Sequence, residues 1–268
     1  MTKAKPFIKW AGGKRNLIEK ISPYFPSKFN CYYEPFLGGG AVYFSIENLI
    51  QHAVLSDNNS ELIITYQVIK NEPDRLIKKL KKLASNHSKE QYYLIRAKNP
   101  KNNLEVAARF LYLNKTCYNG LYRVNSLGKF NVPIGKYKEP NIVQEERILT
   151  CHKILEKAEI VCNDFEKIKP KKRDFVYLDP PYHPIDETSF TKYTKDNFTK
   201  KDQLRLAKLI KKLSKEGVYV MLSNSKTKFI EELYPKKYFK HKIVYAPRFV
   251  NCKPDKRGNI EELLITNY

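Results

Sequence analysis

At 268 residues, with 42% hydrophobic and 29% charged residues, the chain can bury one substantial core with a smaller satellite, and wholesale disorder is excluded. Its formal net charge of +22 calls for a polyanionic partner, because self-repulsion otherwise works against compactness, and nucleic acid is the expected one. Five cysteines with no C-x-x-C pair speak against a disulfide framework and against a zinc site, and favour a reducing compartment, so the chain is expected in the cytoplasm without a structural metal. No run approaches the ~18 apolar residues of a membrane span, and residues 1–13 lack the apolar stretch of a secretory signal, so no membrane partner is expected.

In chain order, short β-rich runs predict buried strands over 31–37, 53–57, 159–162, 174–178, 217–223 and 263–266. Between them, helical periodicity covers 41–49, 147–157 and 201–213. Such alternation implies a doubly wound α/β sheet with its ligands at the carboxyl ends of strands. One region departs from it. From about residue 62 to 142 the chain is first helical, with Leu76, Ile77, Leu80 and Leu83 at the spacing of one helix face. At Tyr118 it turns polar and aromatic, and 121–125 and 129–133 flank Ser126-Leu127-Gly128 as a plausible hairpin. The expected organisation is a main domain from 1–60 and 145–268, carrying a mostly helical insert, 61–144, that bears a β-hairpin and serves recognition.

Three motifs carry chemistry. Glu34-Pro35-Phe36-Leu37-Gly38-Gly39-Gly40 lies between a strand and a helix, where glycines let the backbone turn sharply and a ligand approach closely. No Gly-Lys-Ser/Thr follows, which disfavours a triphosphate loop. Asp57 ends the next strand, near the ~20-residue spacing at which a carboxylate meets ribose hydroxyls, so a nucleoside-like cofactor is favoured over a mere tight turn. Asp179-Pro180-Pro181-Tyr182 follows the apolar run 175–178. Prolines make this strand end rigid, so that Tyr182 can stack on a planar base while Asp179 accepts a hydrogen bond from its amino group. On that reading the tyrosine hydroxyl is dispensable. The third motif is Lys9-Trp10-Ala11-Gly12-Gly13-Lys14, in which the single tryptophan suits either a core or a ligand, and Lys14 an anionic group.

These segments, with the aromatic stretch 118–140 and Asn163-Asp164-Phe165, stand in an order that resembles the Dam family of DNA adenine-N6 methyltransferases over nearly the whole chain. They are similar above all to members found beside GATC-cutting restriction systems. The resemblance implies a Rossmann-like S-adenosylmethionine (SAM)-dependent fold, with 1–60 and 145–268 binding SAM and 61–144 reading double-stranded DNA. It implies that Trp10, Lys14, Asp57 and Asp179 contact SAM, that Glu34, Phe36, Gly38 and Gly40 wall its methionine part, and that Asp164 and Phe165 border its adenine. It assigns Tyr118, Asn119, Leu121, Arg123, Pro133 and Tyr137 to the DNA-reading hairpin, with Lys9 also touching DNA. Asn163 replaces a glycine common in the family and Ile134 a usual aromatic; the second departure bears on the hairpin and not on the chemistry. A monomer is implied, together with a genetically linked restriction endonuclease that forms no stable complex with it.

Adenine N6 is a weak nucleophile because its lone pair is delocalised into the ring. Asp179 and the Pro180 carbonyl are expected to accept its two N–H bonds, restoring lone-pair character, with Tyr182 stacked on the flipped base. Direct transfer needs no thiol, so Cys31, Cys117 and Cys162 are expected as small core residues in apolar surroundings. The polar segment 183–198 is a candidate to close over the base. Methylation of RNA adenine or of cytosine N4, and an inactive SAM-fold DNA-binding protein, are the alternatives.

Overall fold

The computed structural model describes residues 4–185, 198–247 and 259–268. Most of the segment expected to close over the base therefore lies outside the described residues, as does Cys252. The centre of the molecule is a seven-stranded sheet in the order β3-β2-β1-β4-β5-β7-β6. Its strands are β1 (Cys31–Glu34), β2 (His52–Asp57), β3 (Ala158–Cys162), β4 (Phe175–Leu178), β5 (Tyr219–Ser225), β6 (Lys240–Pro247) and β7 (Asn259–Thr266). The first five run parallel, and β7 runs antiparallel to both β5 and β6. This is the expected doubly wound, Rossmann-like sheet. The strand order reverses between β1 and β4, and the carboxyl ends of those strands open the crevice in which such sheets bind ligands.

All four residues of β4 are buried, as a strand covered on both faces requires. Their alternation feeds two cores. Phe175 and Tyr177 join the larger one, whereas Val176 and Leu178 join a second with Leu206, Ile210 and Leu222. Helices α1 (Ile18–Ile21) and α2 (Ala41–Ser45) flank the larger core, followed by α3 (Ser60–Asn71), α4 (Pro73–Ser85), α5 (Lys89–Ala97), α6 (Asn103–Thr116) and α7 (Glu145–Leu155). The other face carries α8 (Lys200–Lys215) and α9 (Lys228–Leu233). Local chemistry sets these starts: Asn59, Ser88, Asn102 and Thr227 each accept a backbone N–H from the first turn, and Thr199 with Asp202 forms a reciprocal cap. Pro73 opens α4, where a missing N–H costs nothing. Helices α3 to α6 share one continuous core with the sheet, since Tyr66, Leu76, Tyr92 and Phe110 pack in the same cluster as Phe7, Tyr32 and Leu55.

Several sequence expectations need correction. β1 stops at Glu34 rather than running to 37, because Pro35 cannot donate to the ladder and Gly38 turns the chain at φ +47°. The helix expected over 41–49 breaks into α2 and a 3₁₀ turn, Glu47–Leu49. β6 has no counterpart among the expected strands: its lysines and histidine mask the β pattern, and pairing with β7 along its length defines it. The expected hairpin does form, with Val124 bridging Phe130 antiparallel and the N–H groups of Asn125 and Asn131 donating to the Lys129 and Arg123 carbonyls, but its ladder is too short to make two strands. Cys117 is buried as expected and Cys31 half-buried, but Cys162 is exposed, because it ends β3 at the outer edge of the sheet.

Candidate active site

Four segments converge at the carboxyl ends of β1, β2 and β4. The turn after β1 places Gly38 and Gly40 at φ +47° and +65°, where side chains are strained. A Cβ on Gly38 would stand 2.7 Å from the Trp10 ring, so the indole can lie on this turn only because Gly38 lacks one. Asp57 at the end of β2 holds the turn in place, its Oδ2 accepting Gly38 N–H at 3.0 Å and its Oδ1 accepting Asn59 N–H at 3.0 Å. Each oxygen keeps a lone pair for a further donor. Burial raises the Asp57 carboxyl above its ordinary range, and the Gly38 and Asn59 amides partly offset that.

Trp10 also stacks on Phe110 and Tyr122, with ring centroids 6.4 and 5.7 Å away, so the core and ligand readings of this residue are compatible. Four residues on, Lys14 is buried at 5% exposure and its Nζ stands 2.8 Å from Asp179 Oδ1. The ion pair is close, yet no donor is aligned on that buried oxygen as a hydrogen bond requires. Burial pushes the Asp179 carboxyl up, against the pull of the Lys14 charge. Tyr182 lies beside the same ammonium, whose Nζ is 4.8 Å from the ring centroid. Its hydroxyl donates to Glu262 Oε2 at 2.8 Å, a partner that sequence reasoning missed.

Behind this group, Glu34 is buried and its Oε2 accepts both the Tyr32 hydroxyl, at 2.8 Å, and Tyr43 N–H, at 3.1 Å. Burial pushes its carboxyl up to about 8, and the nearby Asp179 and Asp57 carboxylates add to that. The sign for stability follows from proton uptake. Between the unfolded value of about 4.5 and the folded value of about 8 the native state holds the extra proton, so unfolding releases it and stability falls as pH rises. The wild-type melting temperature is expected to drop across that window, by the equivalent of a few kcal/mol at most, and Glu34→Gln to flatten the drop in a calorimetric pH series. An equal slope in both proteins would assign the dependence elsewhere.

Phe36 and Phe165 stack at 5.3 Å and Phe198 closes on both, giving an apolar wall. Asp164 caps the turn that carries Phe165 and pairs with Arg205 at 3.0 Å, while the Arg205 guanidinium lies 4.9 Å over the Phe165 ring. Asn224 and Gln203, also missed, brace the loop after β4: Gln203 donates to the Pro181 carbonyl at 3.1 Å, and Asn224 Oδ1 accepts His183 N–H at 3.1 Å. Both are buried and bonded to each other, Asn224 Nδ2 donating to Gln203 Oε1 at 3.1 Å.

The other predicted residues gather nearby. Asn114 near the end of α6 accepts Lys9 N–H at 2.9 Å and donates to the carbonyls of Lys9 and Gly120, tying the amino-terminal segment to the base of the loop. Lys9 Nζ donates to the Tyr137 hydroxyl at 3.3 Å. Tyr118 N–H donates to the Pro133 carbonyl, so Tyr118, Asn119, Leu121, Pro133 and Tyr137 fall on one loop. At its tip Asn125 Oδ1 accepts the N–H groups of Leu127 and Lys129. Arg123 Nε donates to Asn131 Oδ1 at 2.7 Å across the loop.

Residues 10–248 match the family described as D12 class N6 adenine-specific DNA methyltransferase. The chain belongs to that family. It is 44% identical to the Type II methyltransferase M.MjaIII of Methanocaldococcus jannaschii, over 98% of this chain and 99% of that protein. It is 44% identical to the Type II methyltransferase M1.LlaDCHI of Lactococcus lactis subsp. cremoris, over 98% and 95% of the two chains. It is 36% identical to a DNA adenine methylase of Haemophilus influenzae, over 98% and 93%. Membership of the D12 class makes the resemblance read from the sequence motifs a finding, and makes DNA the substrate of the family chemistry.

Proposed function

We propose that this chain transfers a methyl group from SAM to N6 of adenine in duplex DNA, within GATC, by flipping the base and by direct transfer. The observation that carries the reading is the Asp179 carboxylate at the switch point, its Oδ1 buried with the Lys14 ammonium 2.8 Å away and the Tyr182 ring beside that ammonium, where the amino group of a planar base can bond. The residues around it fit SAM, because Asp57 keeps lone pairs for hydroxyl donors at the end of β2 and the stacked Phe36 and Phe165 rings give a planar group an apolar wall. Trp10, Lys14, Glu34, Phe36, Gly38, Gly40, Asp57, Asp164, Phe165 and Asp179 are the residues proposed to hold or border it. When bound, SAM supplies an electrophilic methyl group on a sulfonium.

Asp179 and the Pro180 carbonyl would accept the two N–H bonds of the adenine amino group and orient N6 toward the methyl that SAM supplies, and the proton that N6 loses once methylated passes to the Asp179 carboxylate and on to solvent. Tyr182 offers a face for the extruded base, repaying part of the few kcal/mol that unstacking costs. Lys14 balances Asp179 until ligands arrive. Lys9, Tyr118, Asn119, Leu121, Arg123, Pro133 and Tyr137 contact the duplex. The segment 61–144 acts as the DNA-reading insert in the cytoplasm, on a monomer.

Expression in a methylation-free host tests the reading. The recovered DNA should resist a GATC nuclease blocked by adenine methylation and be cut by one that depends on it; the opposite pattern overturns the assignment. With about six phosphates contacted, log K for duplex binding should fall with log salt at a slope of about −5. A flat response between low and physiological salt would assign the +22 charge to something other than DNA.

A further inference from the structure

Tyr182 sits on a loop of irregular backbone after β4, so no helix or strand fixes the direction of its ring. Two groups do. Lys14 Nζ lies 4.8 Å from the ring centroid, and the hydroxyl at the ring's far end donates to Glu262 Oε2 at 2.8 Å. Glu262 comes from β7, on the other side of β5 from β4, and its backbone is locked in register with Ser225 and Val244. A tyrosine turns about two side-chain bonds; a cation beside the ring and a hydrogen bond at its tip remove both freedoms. The carboxylate is half-buried, and burial pushes it above the ordinary carboxylate range, with the Lys14 charge and the Tyr182 hydroxyl partly offsetting that.

We infer that Glu262 is a positioning residue for methyl transfer: by accepting the Tyr182 hydroxyl it sets the ring plane on which the target base stacks, and so controls turnover from a strand outside the Asp179-to-Tyr182 motif. The inference rests on the proposed stacking of adenine on Tyr182. A hydrogen bond to a carboxylate is among the stronger ones, and a ring released from it spends less time in the one orientation that aligns N6. Charge matters less than acceptance, so a carboxamide at the same position preserves the alignment.

A double-mutant cycle on the full chain tests this, with kcat, KM for duplex DNA, the fluorescence of 2-aminopurine at the target position and the melting temperature read together. Glu262→Ala and Tyr182→Phe should each lower kcat by about tenfold, with DNA KM little changed, and the double variant should fall no further than either. Glu262→Gln should recover most of the parental kcat. Multiplied losses in the double variant, or a Glu262→Ala protein that loses melting temperature and keeps its kcat, overturn the inference. Should Glu262→Ala fail to fold, Glu262→Leu replaces it in the cycle: a Tyr182→Phe loss that disappears in the Glu262→Leu protein supports a shared bond, and an equal loss in both overturns it. A parent that transfers no methyl group to duplex DNA overturns the stacking reading and this inference together, whereas an active parent with independent losses overturns this inference alone.

Discussion

Asp179→Ala is expected to abolish methyl transfer, lowering kcat by roughly 10³-fold or more while DNA affinity changes little. On the proposed mechanism the carboxylate bonds the amino group most strongly as charge develops on N6, so its removal is felt in the transition state and hardly in the ground state. The structure adds a second consequence. Lys14 is 5% exposed and its charge faces Asp179 at 2.8 Å, so alanine leaves a buried ammonium without its counter-ion. Some loss of melting temperature is expected for that reason. Asp179→Asn separates the two effects, because it keeps an oxygen near Lys14 and replaces the second acceptor with a donor. It should melt closer to the parent and still transfer almost no methyl groups. A variant of either kind with near-parental turnover in a tritiated-methyl assay would remove Asp179 from the chemistry.

Arg123→Ala is expected to cost about 1–3 kcal/mol of discrimination at one base pair of GATC, and to raise methylation of sites altered there. An arginine reads guanine by placing two N–H groups on O6 and N7, an acceptor pair that only guanine presents in the major groove. Arg123 is suited to this by its loop. Its Nε is engaged by Asn131 Oδ1 at 2.7 Å, which orients the guanidinium and leaves the two terminal nitrogens to form the fork. The loop that carries it is braced at its tip by Asn125 and at its base by Asn114. Asn131→Ala should therefore weaken discrimination at the same base pair as Arg123→Ala, to a lesser degree. If Arg123 instead grips a phosphate, every site should weaken alike and the salt slope should flatten by about one unit. Competition between GATC duplexes and singly substituted ones separates these outcomes.

Most of the sheet could be read in advance because its determinants are local. The run 175–178 is apolar on both faces, a proline pair stops it, and a glycine cluster between strand and helix forces a turn. Helix starts carry their capping residues within the same few positions of sequence. The motifs also placed Asp57 and Asp179 at the ends of parallel strands, where the structure finds them, because a carboxylate that closes an apolar run comes to the carboxyl edge of the sheet.

Tertiary structure alone decided how those residues meet. Lys14 was legible as a cation near glycines, but its pairing with Asp179 joins an amino-terminal turn to the end of β4. Glu262 had no signal, because the charge pattern around it is that of an ordinary strand and its partner stands 80 residues away. Asn114, 105 residues from Lys9, reads in sequence as one more polar residue near a helix end. β6 is too polar to announce itself and exists because β7 offers it a ladder of partners. Cys162 looked like core because it ends an apolar run, yet only the sheet order shows that the run lies at an edge. Periodicity reports which face of an element is apolar, and it holds no information about which distant element covers that face; contact partners and sheet order are settled when the chain closes on itself.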